Sequence, residues 1–329
     1  MKSHKKNKMR EILNNIVYFN SCEFTLDELV RNKKDKKIFI VFSTFGERES
    51  DLVFSKINLL KTAGGDFIDK IFLSHRRVDC NRVEKTEVRA RDADPGIEIV
   101  ICNSLSVPDM GEEKGKGADM RRTIFYINSI CKDSVHADNV IIVFLDADVL
   151  PEFFNIHFVL GLAGAVLEGF DFAKASFWRE MGRVKKFVAQ PLFSIIDHPN
   201  IKNLSNFAYP LSGEVGGTLS FFNSVDFWQI YGVETGMIFD ACFGNYKVAD
   251  VNLGKYDHQH HPDANIQRMS FGIIRTFFLK LLEYGVIELK DGATIGDILS
   301  YSFIDDNGKR NVDDFDLTER KYQPCNNII

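Results

Sequence analysis

The nine residues Val140-Ile141-Ile142-Val143-Phe144-Leu145-Asp146-Ala147-Asp148 constrain this chain more than any other stretch. Six consecutive apolar side chains, most of them β-branched, leave no polar face, so the segment reads as a strand covered on both sides. Strands of that kind belong to parallel sheets with helices above and below. Two carboxylates follow at the carboxyl end of the strand, the edge at which open α/β sheets bind ligands.

The flanking pattern repeats the theme. Ile38–Ser43, Ile68–Leu73 and Ile97–Cys102 are apolar runs bounded by turn formers, and amphipathic segments such as Glu47–Ala63 and Ala118–Cys131 separate them. Alternating strand and helix predict a mostly parallel sheet wound with right-handed crossovers. Further strands are expected at Phe170–Phe177, Thr218–Phe222 and Lys247–Val251, with helices at Glu234–Phe243 and Ala264–Glu283. The expected organisation is an N-terminal helical extension over residues 1–36, a main domain over 37–290, and a tail at 291–329. The main domain divides into a first half (37–150) and a second half (151–290). Thr25 and Glu28 match a capping box in a helix read across residues 8–34. The acidic tail is expected to pack loosely or to serve assembly.

With 45% hydrophobic and 26% charged residues in a chain of 329, a large core can form, and a formal net charge of −5 excludes a general attraction to nucleic acid. The six cysteines are scattered without a CxxC pair, which favours reduced thiols and a cytoplasmic location. Phe158–Leu167, the longest apolar run, is too short for a bilayer and reads as a close-packed core helix. The basic start leads to no cleavage site of the secretory kind.

Two aspartates at a strand end suit a hard divalent cation, Mg²⁺ or Mn²⁺, held against a nucleotide diphosphate sugar whose leaving group develops negative charge. The alternative for Asp146 and Asp148 is capping of the following helix. Lys116, between Gly115 and Gly117, is placed to reach a phosphate while the backbone approaches it closely, or is an ordinary turn lysine. His258, in a loop with His260 and His261, is a candidate imidazole ligand. Arg179, Arg183, Lys185 and Lys186 form a candidate anion site.

Gly115-Lys116-Gly117, Val143–Asp148, Pro210-Leu211-Ser212-Gly213-Glu214, Tyr231-Gly232-Val233-Glu234 and Val251-Asn252-Leu253-Gly254 with His258 resemble, in order and spacing, the glucosyl-3-phosphoglycerate synthases. The resemblance runs from about Ile38 to Gly285. It implies a GT-A, Rossmann-like fold with a C-terminal acceptor-binding portion, and retaining transfer of a hexose, foremost from UDP-glucose, to a small acidic acceptor, foremost 3-phosphoglycerate. It also implies a homodimer. Asp148 and His258 would ligate the metal, with Asp146 supporting metal or ribose. Ser43, Glu47, Ser74, Lys116, Ala147 and both aspartates would meet the donor. Arg183, Lys185, Leu211, Ser212, Gly213 and Glu234 would meet the acceptor or the sugar, with Asp148, Glu234 and Lys116 carrying the chemistry. The chain departs from the family at Leu73-Ser74-His75-Arg76, where an Asp-Ser-Gly-Ser-like turn is usual, and at Lys185, where the family has a small hydroxyl residue. Competing readings are another donor such as GDP-mannose or GDP-glucose, a sugar nucleotidyltransferase, and a nucleotide-sugar-binding protein without turnover.

Overall fold

Alternate side chains of the central strand enter different cores. In the computed structural model, which describes residues 12–13, 15–131, 136–179, 182–257 and 263–328, Val140, Ile142 and Phe144 pack on one side of the sheet. Ile141, Val143 and Leu145 pack on the other. All six are essentially inaccessible to solvent, each contributing about 1.5–3 kcal/mol of burial.

The chain opens with strands β1 (Ile12–Leu13) and β2 (Ile16–Asn20) and helix α1 (Leu26–Lys33). The alternating core follows as β3 (Lys37–Phe45), α2 (Ser50–Gly64), β4 (Lys70–Arg76), α3 (Lys85–Ala93), β5 (Glu98–Ile101), α4 (Lys116–Cys131) and β6 (Val140–Asp146). Next come α5 (His157–Leu167), β7 (Phe172–Trp178), a π-helical turn at Lys185–Ala189, α6 (Gln190–Ser194), α7 (Pro199–Asn206), β8 (Val215–Thr218) and α8 (Leu219–Ser224). The last part holds β9 (Phe227–Trp228), α9 (Val233–Phe243), β10 (Val248–Lys255), α10 (Asp263–Glu283), β11 (Ile298–Ile304), β12 (Arg310–Asp316) and β13 (Lys321–Tyr322).

Nine strands form one sheet in the order β1-β2-β10-β7-β8-β6-β3-β4-β5. Pairs β3–β4, β3–β6, β4–β5, β7–β10 and β2–β10 are parallel, whereas β8 runs antiparallel between β6 and β7. That reversal positions the site. Because β8 points the other way, its first residue, Val215, lies level with Phe144 near the carboxyl end of β6 and with Lys174 inside β7. The loop that precedes it is thereby delivered to the ligand-binding edge. Gly216 makes the fit possible: a Cβ there would stand 3.1 Å from Leu162 of α5.

Three sequence expectations need correction. Residues 8–34 are not one helix: Ile16–Asn20 is a strand, in parallel register with Val248–Asn252, and only Leu26–Lys33 is helical. The Ile-Val-Tyr-Phe run is β-branched and aromatic, and an open sheet edge offered it a partner. Thr25 does stand before the first turn of α1, but its hydroxyl makes no capping bond. The strand expected over Thr218–Phe222 is instead the short β8 followed by α8, with Thr218 capping the helix through Phe221 N. The tail is ordered as a β11–β12 hairpin followed by β13, which pairs with β9.

Candidate active site

The carboxyl edge of β3, β4 and β6 sets three polar side chains in one row. Ser43 is level with Asp146 on one side and with Ser74 on the other. Beyond them opens a cleft of about 630 Å³. Its lining includes Ser43, Ser74, Lys116, Asp146, Ala147, Asp148, Arg183, Lys185, Leu211, Ser212, Gly213 and Glu234, residues drawn from well-separated parts of the chain. Size and mixed polarity suit a ligand the size of a sugar nucleotide.

Lys116 opens α4 and is the hub of the cleft. Its Nζ lies 2.5 Å from Asp146 Oδ1 and 3.2 Å from Glu234 Oε1. Burial opposes its charge, but Asp146 and Glu234 outweigh that and hold the ammonium well above its usual pKa. Gly213 packs directly over this pair: a Cβ would fall 2.1 Å from both Asp146 Oδ2 and Lys116 Nζ. The glycines beside Lys116 have a related cause. Gly115 adopts φ +139°, and side chains at Gly115 and Gly117 would strike the carbonyls of Gln229 and Trp228 at 2.3 and 1.8 Å.

Buried polar groups hold the Ala208–Glu214 loop from below. Lys174 Nζ donates to Ser212 O at 2.5 Å, Tyr209 N donates to Ser176 Oγ at 3.0 Å, and Ala208 N donates to Asp250 Oδ2 at 2.8 Å. Glu214 turns inward and accepts from Ser212 Oγ (2.7 Å) and Tyr256 Oη (2.9 Å). Burial, reinforced by the charge of Asp146, raises its carboxyl to about 7. Burial also lowers Lys174 to about 8 and raises Asp250 to about 6. The sequence singles out Glu214 as part of its motif, but Lys174 and Asp250 are missed. The available signal was a charged residue inside a buried strand, as in Phe-Ala-Lys-Ala and Val-Ala-Asp-Val.

The aspartate turn is supported from α2. Lys56 Nζ donates to Ala147 O at 2.5 Å, and burial lowers its pKa to about 8 against the opposing pull of Asp148, Glu214 and Asp146. Glu49 lines the same wall. Its Oε2 is buried without a hydrogen-bond partner among the described residues, and burial together with Asp148 raises its pKa. An excess of carboxylate oxygen around Asp148 fits a hard divalent cation. Among the described residues no group of three His, Cys, Asp or Glu could hold a metal ion, so ligation needs a further group from outside this set. His258 lies outside the described residues. The residue before it does not: Leu150 N donates to Asp257 O at 3.2 Å, tying the turn after Asp148 to the chain entering that loop.

Two expected donor contacts stand differently. Glu47 is absent from the cleft wall; its carboxylate accepts from Lys85 N at 3.0 Å and pairs with Arg82 at 2.5 Å, which lowers its pKa. Ser74 lies within β4, which runs on to Arg76, and its hydroxyl accepts from Thr123 Oγ1 at 2.7 Å. Arg76 lines the cleft as well, fixed to Asp119 by two bonds of 2.9 and 2.6 Å. On the wall that holds Arg183, Lys185 Nζ stands over the Tyr209 ring at 4.9 Å, and Arg179 Nε donates to Asp257 at 3.2 Å. Burial, then Lys186, lowers the Lys185 pKa.

No protein-family model matches the sequence. The glucosyl-3-phosphoglycerate synthase of Petrotoga mobilis is 28% identical over 82% of this chain and 81% of its own. That of Mycolicibacterium smegmatis is 27% identical over 78% and 82%. Among solved structures, the mannosyl-3-phosphoglycerate synthase of Rubrobacter xylanophilus superposes with a TM-score of 0.77 at 24% identity, covering 95% of this chain and 96% of that one. The Mycobacterium tuberculosis glucosyl-3-phosphoglycerate synthase, solved with Mn²⁺, UDP and phosphoglyceric acid, superposes at 0.73 and 23% identity, covering 93% and 96%. The architecture of this chain is therefore the GT-A α/β fold.

Proposed function

We infer that this relative of the glucosyl-3-phosphoglycerate synthases is a metal-dependent glycosyltransferase that moves glucose from UDP-glucose to 3-phosphoglycerate. The observation that carries the reading is the convergence of Lys116, Asp146 and Glu234 in one cleft at the carboxyl edge of a GT-A sheet. Similarity to synthases of that name over about four fifths of the chain supports it.

Asp148, with His258 and with Asp146 beside it, would hold Mg²⁺ or Mn²⁺ as an Asp-x-Asp site. A cation there neutralises charge on the departing diphosphate. Lys116, charged at any working pH, gives the same diphosphate a fixed positive partner. Glu234, held beside Lys116, orients a sugar or acceptor hydroxyl. Arg183 and Lys185 meet the acceptor's phosphate and carboxylate, a task for which guanidinium geometry is well suited. Leu211, Ser212 and Gly213 present backbone to the sugar from a loop that cannot drift, because Lys174, Ser176 and Asp250 grip it. Positioning and charge stabilisation then supply most of the rate.

A second donor reading has its own support. The likeness to a mannosyl-3-phosphoglycerate synthase, together with the Arg76–Asp119 pair on the nucleotide side, makes GDP-mannose and GDP-glucose the donors to compare. The test is nucleoside diphosphate release from UDP-glucose, GDP-glucose and GDP-mannose with Mn²⁺, each with and without 3-phosphoglycerate. UDP release that depends on 3-phosphoglycerate is expected. Release indifferent to that acceptor overturns the acceptor assignment, and pyrophosphate release from a nucleoside triphosphate overturns the reaction class.

We place the enzyme in the cytoplasm as a homodimer. No helix among the described residues is long and apolar enough to cross a membrane, all six cysteines are free, and the hairpin carries exposed Ile304 and Val312. Light scattering after size exclusion tests the pairing.

A further inference from the structure

The C-terminal segment, expected from its sequence to pack loosely or to serve assembly, runs to the back of the catalytic cleft. β13 pairs antiparallel with β9, Lys321 opposite Trp228 and Tyr322 opposite Phe227. Gln229 N donates to Arg320 O at 2.9 Å, and Arg320 N donates to Gln229 Oε1 at 3.1 Å. Just before them, Glu319 turns inward. Its Oε1 accepts from Ile230 N and, at 3.0 Å, from Gly232 N; its Oε2 accepts from Arg275 Nη2 at 2.6 Å. Both charged side chains are 1% exposed.

The backbone that Glu319 holds does two things at once. Gly232 caps α9, whose second residue is Glu234. On its other side, Gln229 O accepts from Ala118 N at 3.1 Å and Gln229 Nε2 donates to Lys114 O at 2.9 Å. The glycines flanking Lys116 pack so tightly against Trp228 O and Gln229 O that a Cβ on either would overlap them. Trp228–Gly232 is thus a bar between the tail and the Gly-Lys-Gly turn, and it carries Lys116 on one side and Glu234 at its end. Those two side chains meet at 3.2 Å.

We propose that Glu319 is a positioning residue for sugar transfer: by fixing the Ile230 and Gly232 amides it sets the spacing of Glu234 and Lys116 without touching substrate. A buried carboxylate paired with a buried guanidinium is costly to form and is not needed merely to close a surface tail. Its cost is accounted for by aiming two amides that could not otherwise be satisfied together.

This inference rests on the transferase reading, so the wild-type chain is first assayed with the best donor of the panel, 3-phosphoglycerate and Mn²⁺. Glu319→Ala, Glu319→Gln and Asn223→Ala are then compared by kcat, both KM values and melting temperature. Asn223→Ala removes a buried amide pair with Asn128 (2.7 and 2.9 Å) that is no part of the bar, and serves as the destabilised control. Glu319→Ala should lower kcat by roughly 10- to 100-fold with the acceptor KM within about twofold. Glu319→Gln keeps an oxygen for the two amides but faces Arg275 without charge. It should melt earlier than wild type yet retain kcat within about threefold. A Glu319→Ala enzyme with near-wild-type kcat overturns the proposal, as does a kcat that simply follows melting temperature across all three variants. A wild-type chain that turns over no donor overturns the functional reading, and this inference with it.

Discussion

Lys116 and Glu234 are 118 positions apart in sequence, yet the lysine Nζ stands 3.2 Å from the glutamate Oε1. The first opens α4 and the second lies in the first turn of α9. The start of α9 has no side-chain cap; the backbone of Trp228–Gly232 lies between the two helix starts and joins them.

If Lys116 is the fixed cation for the leaving diphosphate, Lys116→Met should lower kcat by roughly 100- to 1000-fold, the scale seen when one preorganised charge donor is removed. Circular dichroism should be unchanged, since the ammonium pairs with Asp146 and Glu234 at the cleft and not with the core. Steady-state UDP release measures the first, and a kcat within threefold of wild type sinks the role.

Asp148→Asn should abolish the dependence on divalent cation, with turnover about 100-fold or more below wild type. His258→Ala should weaken Mn²⁺ in the presence of UDP in the same direction. Calorimetric titration of Mn²⁺ into the protein with UDP reads both, and unchanged affinity in either variant removes that residue from the metal site.

Gly213 stands where its absent Cβ would overlap Asp146 Oδ2 and Lys116 Nζ. Gly213→Ala should therefore cost roughly tenfold or more in kcat while barely moving the melting temperature, because the clash falls on two groups facing the cleft and not on the core. Activity equal to wild type would mean that the loop shifts freely, contrary to its three buried anchors.

Asp250 makes a prediction in pH. Burial lifts its carboxyl from 3.8 to about 6, with Lys174 and Lys185 pulling the other way. The folded protein then binds more protons than the unfolded chain between those values. This contribution to stability is full below about pH 4 and is lost as pH rises through about 6. Asp250→Asn can still accept from Ala208 N but cannot ionise. Denaturant melts should show the variant gaining on wild type between pH 4 and 7, by about 2–3 kcal/mol at most. A stability difference that is flat with pH would rule out a shifted Asp250.

Much of the sheet was legible because its strands carry their burial in their composition. Val140–Leu145 has no polar position, so it had to be covered on both faces whatever lay beside it. The cleft residues on strand ends and glycine-flanked turns were legible for a related reason: Asp146, Asp148 and Lys116 stand where local backbone chemistry exposes them. Ile16–Asn20 is misread because its side chains suit a strand only once β10 is there to pair with it. Lys56, Lys174, Asp250 and Glu319 were passed over for a stronger reason. A buried charge has no meaning in one dimension; it is a penalty until a carbonyl or amide arrives 38 to 91 residues away. The sequence by itself determined the layered α/β core and the chemistry exposed at its carboxyl edge. Only the tertiary structure decided how far apart Lys116, Asp146 and Glu234 stand, because that spacing is set by buried polar contacts between segments that the chain order keeps apart.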